Sequence, residues 1–101
     1  MFYRVTRYEF PEGRQGDIAA WADTKTEQVR AIDGLVSVDV FNASSGEGVI
    51  VAAYEDENSY DAASSTITEV LGELAQFLTG PPMTMAGSPF WTTRESASAT
   101  L

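Results

Sequence analysis

The sequence predicts an α+β domain of ferredoxin-like βαββαβ order: a four-stranded antiparallel sheet with two helices on one face. Three observations predict it. The hydropathy period switches between two residues and 3.6 in the order strand, helix, strand, strand, helix, strand. Turn-forming clusters fall at the switches: Pro11-Glu12-Gly13, Gly34, Ser44-Ser45-Gly46-Glu47-Gly48 and Gly80-Pro81-Pro82. The length, 101 residues, suits one domain, and 44% hydrophobic with 21% charged residues excludes a disordered or fibrous chain.

Met1–Phe10 is rich in aromatic and β-branched residues and reads as the first strand. Arg14–Asp33 reads as the first helix, with Ile18, Trp21, Ala22, Val29 and Ile32 on one face, Lys25 interrupting the stripe and Gly34 as its stop. Leu35–Ala43 alternates, with Val36, Val38 and Val40 on one side, and forms a hairpin with Val49–Tyr54. Asn58 is the expected cap of a second helix over Ser59–Leu78, whose stripe is Tyr60, Ala63, Ile67, Val70, Leu71, Leu74, Phe77 and Leu78. Met83–Thr93 reads as a weaker fourth strand, broken by Gly87-Ser88-Pro89. The domain is thus expected over residues 1–93, and 94–101 as a disordered tail, small and polar over Ser96–Leu101.

Right-handed crossovers place the first and third strands in the centre of the sheet and the second at an edge. Two helices cover one face only. The other face is expected to expose part of Phe2, Tyr8 and Phe10 with one parity of the third strand, more apolar surface than a monomer normally leaves open. The expected remedy is a homodimer packed sheet on sheet.

Net charge is −9, and residues 31–93 hold nine acidic side chains and no basic one. Such a surface repels phosphate backbones and anionic lipid, so neither nucleic acid nor a membrane is an expected partner. Met1–Phe10 carries Arg4 and Arg7 within an aromatic run, unlike a secretory signal, so a cytoplasmic location is expected and Asn42-Ala43-Ser44 carries no weight as a glycosylation sequon. Cysteine and histidine are both absent, which removes thiolate nucleophiles, cysteine-bound zinc and the commonest base and haem ligand. No metal and no cofactor are expected. Glu55-Asp56-Glu57 are consecutive and do not converge on an ion, and acidic residues suit a helix N-terminus.

The chain resembles the antibiotic biosynthesis monooxygenase-like family of dimeric α+β barrels over about residues 1–93. The carriers are the first strand ending in Pro11-Glu12-Gly13, the run Ala31-Ile32-Asp33-Gly34-Leu35 into Val36-Ser37-Val38-Asp39-Val40, and the junction Tyr54-Glu55-Asp56-Glu57-Asn58-Ser59-Tyr60-Asp61-Ala62. Tyr54 and Tyr60 match the aromatic that ends strand three and the one that follows in helix two. Many members carry a histidine one turn later, where this chain has Ala63, and haem-degrading relatives use a histidine and a first-strand asparagine that are both missing. The resemblance implies a pocket between sheet and helices, lined by aromatic and amide side chains. It also implies cofactor-independent monooxygenase chemistry on an electron-rich aromatic or polyketide-like substrate. The alternative is a non-catalytic ligand-binding or dimerisation module of the same fold.

The candidate binding residues are Arg4, Arg7, Trp21, Asn42, Tyr54, Tyr60 and Trp91. Arg4 and Arg7 occupy opposite faces of the first strand; the one under the helices is costly unless paired and is a pocket donor, or else a snorkelling or interface arginine. Trp21 reads as core or as a pocket wall, Trp91 with Phe90 as pocket lining or dimer seam, and Asn42 as a substrate-orienting amide or a turn residue. Tyr54 and Tyr60 each offer a hydroxyl. Without histidine no catalytic base is assigned.

Overall fold

A computed structural model describes residues 1–94, so the tail expected from 94 onward lies almost wholly outside the described residues. The elements are β1 (Phe2–Glu9), α1 (Gln15–Arg30), β2 (Leu35–Ser44), β3 (Glu47–Tyr54), α2 (Glu57–Leu74), a short 3₁₀ turn (Ala75–Phe77) and β4 (Met83–Gly87). They form one antiparallel sheet in the order β2-β3-β1-β4, the ferredoxin-like α+β arrangement with β1 and β3 central. No described helix is long and apolar enough to cross a membrane.

The parity of β1 decides which side chains meet the helices. Phe2, Arg4, Thr6, Tyr8 and Phe10 are buried, whereas Tyr3 and Val5 are half-buried and Arg7 and Glu9 exposed. This corrects the expectation that Phe2, Tyr8 and Phe10 belong to the uncovered face: they form the core under the helices. Phe2 joins Ala52, Tyr54, Ala63 and Ile67 in one cluster, and Tyr8 and Phe10 join Ile18 and Leu74 in the other. Gly48 lies opposite Tyr8, and a Cβ there would collide with the phenol ring, so the tyrosine is accommodated only because β3 carries no side chain at that point.

By register the uncovered face carries Tyr3, Val5, Val49, Val51, Phe41 and Met85. Phe41 and Met85 are 54% and 64% exposed. An apolar face therefore does lie open, built from the parity opposite to that expected for β1.

The hairpin turn is tighter than the sequence cluster suggested: Ser44 pairs with Glu47, leaving Ser45-Gly46 as the loop. Bulges at Val36 and Ala43 interrupt β2, so Val36 drops out of the alternation while Val38 and Val40 stay on the helix side. Both remain exposed, because α1 stands away from β2. Of the expected stripe on α1, Ile18 is buried, Trp21, Val29 and Ile32 are half-buried and Ala22 is exposed.

The helix boundaries moved for local reasons. Asp56, not Asn58, caps α2: its carboxylate accepts from the Ser59 N–H at 2.8 Å. This hydrogen bond holds the Asp56 carboxyl below its ordinary value. The α-helix ends at Leu74, and the chain tightens into the 3₁₀ turn before Leu78. β4 ends at Gly87, well short of Thr93, because Pro89 cannot donate to the ladder.

Lys25 does not merely break the stripe of α1. Its ammonium meets the Glu73 carboxylate at 2.6 Å, tying α1 to α2 and holding the Glu73 carboxyl below its ordinary value.

Candidate functional site

The chemistry of the site begins with one arginine in an unusual place. Arg4 sits mid-strand on the helix side of β1, with Ala52 and Ala86 opposite it on β3 and β4. Two small neighbours leave room for the guanidinium above the sheet. The residue is 5% exposed. Nη2 donates to the Tyr54 hydroxyl at 3.0 Å, while Nε and Nη1 are buried with no partner among the described residues.

Arg4 borders a cavity of about 250 Å³ between the sheet and α2, lined also by Tyr54, Tyr60, Ser64, Thr68 and Thr84 with Ile67 and Leu71. No carboxylate is among those residues. Tyr54 ends β3 and is fully buried. Its ring meets Tyr60 edge-on at 5.5 Å, and Phe2 braces Tyr60 from behind at 4.8 Å. Three elements supply hydroxyls. Tyr60, Ser64 and Thr68 recur at i, i+4 and i+8 along α2, one helical row. Thr84 stands opposite Thr6 on β1 and shares a hydrogen bond with it at 3.1 Å.

Of the seven candidates, Arg4, Tyr54 and Tyr60 converge here. Arg7 points to the uncovered face and pairs with Glu47, which raises its already high pKa. Trp21 packs on Phe77 at 6.1 Å, its indole nitrogen buried without a hydrogen-bond partner among the described residues. Asn42 lies on the helix side of β2, in a separate recess of about 300 Å³ with Tyr8, Phe10 and Gln15. Trp91 follows β4 and is 74% exposed. A larger recess of about 560 Å³ between α1 and β2 is lined by residues such as Ala22, Val29 and Val38 and by none of the candidates.

Sequence reading missed Ser64, Thr68 and Thr84. The first two were within reach once Tyr60 was placed, because they continue its row on the helix. Thr84 was not, because its position depends on the β1–β4 register.

The arrangement can bind a flat ring against Tyr54, Tyr60, Ile67 and Leu71 while offering a buried positive charge. Such a charge, in a site of low dielectric, stabilises an oxyanion more strongly than it would in water.

The sequence matches no family model and no curated protein. Solved structures match throughout. A variant of SnoaB, a cofactor-independent oxygenase from Streptomyces nogalater, superposes with a TM-score of 0.78 at 13% identity, covering 93% of this chain and 97% of its own. Rv0793 from Mycobacterium tuberculosis gives 0.72 at 21% identity, over 92% and 98% of the two chains. The monooxygenase from the gene ActVA-Orf6 of Streptomyces coelicolor, in complex with Nanaomycin D, gives 0.66 at 23%, over 94% and 92%. With the βαββαβ order and the β2-β3-β1-β4 sheet, these superpositions establish that the chain has the fold of the antibiotic biosynthesis monooxygenase-like proteins.

Proposed function

We propose that this chain binds a small electron-rich aromatic molecule in the chamber beside Arg4 and oxidises it with dioxygen without a cofactor. The observation that carries this reading is the buried guanidinium with two unpartnered nitrogens bordering a cavity. A filled core would have left no such space. In the reaction a phenol ionises, the anion gives an electron to dioxygen, and recombination puts one oxygen atom on the ring. The product is a quinone; the second oxygen leaves as water with the phenolic and ring hydrogens. Arg4 would supply the positive charge that holds the ligand in its anionic form, and the Tyr54 and Tyr60 rings would exclude water. Only a small ligand fits, since about 250 Å³ lies just below the roughly 300–1,000 Å³ of drug-sized pockets. This favours one or two rings over a larger polyketide.

The working unit is a homodimer joined through the face that carries Tyr3, Val5, Val51 and Met85. A solvent-exposed apolar sheet face of this extent supports that reading.

Oxygen uptake is the test. Dihydroxyaromatics with a free ring position para to a hydroxyl should consume one dioxygen per quinone formed. No uptake above buffer across such a panel would overturn the catalytic reading and leave a binding module.

A further inference from the structure

We propose that the chamber's ligand is an aromatic acid of one or two rings, whose carboxylate is the missing counter-ion of Arg4. This inference rests on the reading of the chamber as a ligand site and names the class of molecule that enters it.

A buried ion without a partner is among the most unfavourable features a fold can carry. Every other basic side chain of the described residues has an answer outside this chamber: Arg7 pairs with Glu47, Arg14 with Asp17, Lys25 with Glu73 and Arg30 with Glu27, while Arg94 lies over the Tyr3 ring at 5.7 Å. Arg4, the most buried of them, has the neutral Tyr54 side chain alone, its hydroxyl at 3.0 Å and its ring centroid 6.0 Å from the guanidinium carbon, and no anion among the described residues. Of the 15 acidic residues, 14 fall among the described residues, and none of those lines the cavity. The positive charge is therefore left for something that arrives from outside.

The chemistry of that group follows from the surroundings. At neutral pH a carboxylate is already ionised, whereas a phenol is not, so only the former supplies a full counter-charge without a base. A guanidinium receives a carboxylate through parallel N–H donors. A phosphate fits less well: the lining holds one cation and no second basic residue, in a chain of net charge −9. The Tyr54 and Tyr60 rings and Ile67 and Leu71 then take the flat apolar part. Ser64 and Thr68 on α2 and Thr84 on β4 are exposed at the rim, where their hydroxyl oxygens are available to accept from ring hydroxyls although Ser64 donates its own proton to the Tyr60 carbonyl.

The test compares 3,4-dihydroxybenzoate with its methyl ester, titrated anaerobically by calorimetry against the full chain. The acid should bind about 10- to 100-fold more tightly, the range of one hydrogen-bonded charge. Arg4→Met should bring acid and ester to equal affinity, and Arg4→Lys should keep part of the preference. Equal affinities in the unmodified protein, or binding of neither compound, would overturn the proposal without recourse to any variant. Oxygen uptake is then read separately. Preferential binding of the acid with no uptake upholds the counter-ion and removes the oxygenase chemistry. Uptake with the neutral ester at equal affinity does the reverse.

Discussion

Replacing Arg4 by methionine should stabilise the ligand-free protein. Arg4 is 5% exposed, and two of its three guanidinium nitrogens have no partner among the described residues. The effective cost of burying one such ion is several kcal/mol. Its hydrogen bond to Tyr54 returns roughly 1.5–3 kcal/mol. Methionine is also a long unbranched side chain and keeps much of the volume of the arginine stem. It leaves the Tyr54 hydroxyl, on a residue with no exposed surface, without its donor, at about 1–3 kcal/mol. Exchange of buried ionic groups for apolar ones of similar volume is often stabilising by about 1–4 kcal/mol, and the orphaned hydroxyl places this case in the lower half of that range. For a domain of this size each kcal/mol moves Tm by about 4–8 °C, so an increase of about 5–15 °C is expected. Calorimetry at pH 7, without ligand and at one fixed protein concentration, reads it. Arg4→Met combined with Tyr54→Phe removes the orphan as well and should melt higher still. An Arg4→Met protein that melts several degrees below the unmodified one would refute the reasoning, because it would mean that the guanidinium is already satisfied by its own fold.

Three further outcomes are expected. Burial pushes the Tyr8 hydroxyl above its ordinary value of 10.0, so the unfolded chain ionises first and stability falls as pH rises through and beyond that value; Tyr8→Phe should flatten this alkaline limb in pH-dependent denaturation. Asp56 is held below its ordinary value of 3.8 by the Ser59 amide, so its contribution is present above that pH and lost as pH falls below it; Asp56→Asn, which can still cap, should weaken the acid dependence while α2 remains helical by circular dichroism. Met85→Glu places an unpaired charge on the open sheet face, and sedimentation should show a dimer for the unmodified chain and a dimer weakened by about 100-fold or more for the variant. A monomeric unmodified chain at micromolar concentration would refute the assembly.

The periodicity in the sequence carried the order of elements and the central placement of β1 and β3, because strand alternation and the stripe of α2 are both strong. It did not carry the phase of β1. Both parities of Met1–Phe10 hold large residues, so pattern alone cannot say whether Phe2, Tyr8 and Phe10 or Tyr3 and Val5 meet the helices. The choice is made by the helices, whose apolar residues Ile18, Ile67 and Leu74 pack on the former set. The same choice puts Arg4 inside and Arg7 outside, so the central feature of the chamber was legible only as one of two alternatives. That Arg4 lacks a carboxylate is a fact of three dimensions. Glu9, the nearest acidic residue along the chain, has the opposite parity on β1 and belongs to the other face. α1 was the least legible element in its packing, since Lys25 turns toward Glu73 and most of the helix does not bury its stripe.

The Gly34 turn has a reach beyond its own loop. Its φ of +80° lets the chain leave α1, its carbonyl accepts from the Glu55 amide at 2.8 Å, and its α-carbon lies so close to Ser59 that any side chain there would collide. The two junctions of the fold are thereby welded into one, and the residue after Ser59 is Tyr60. A position that does not line the ligand space thus fixes where the helix carrying Tyr60 begins, and drift at this remote weld would shift that ring against Tyr54 and Phe2.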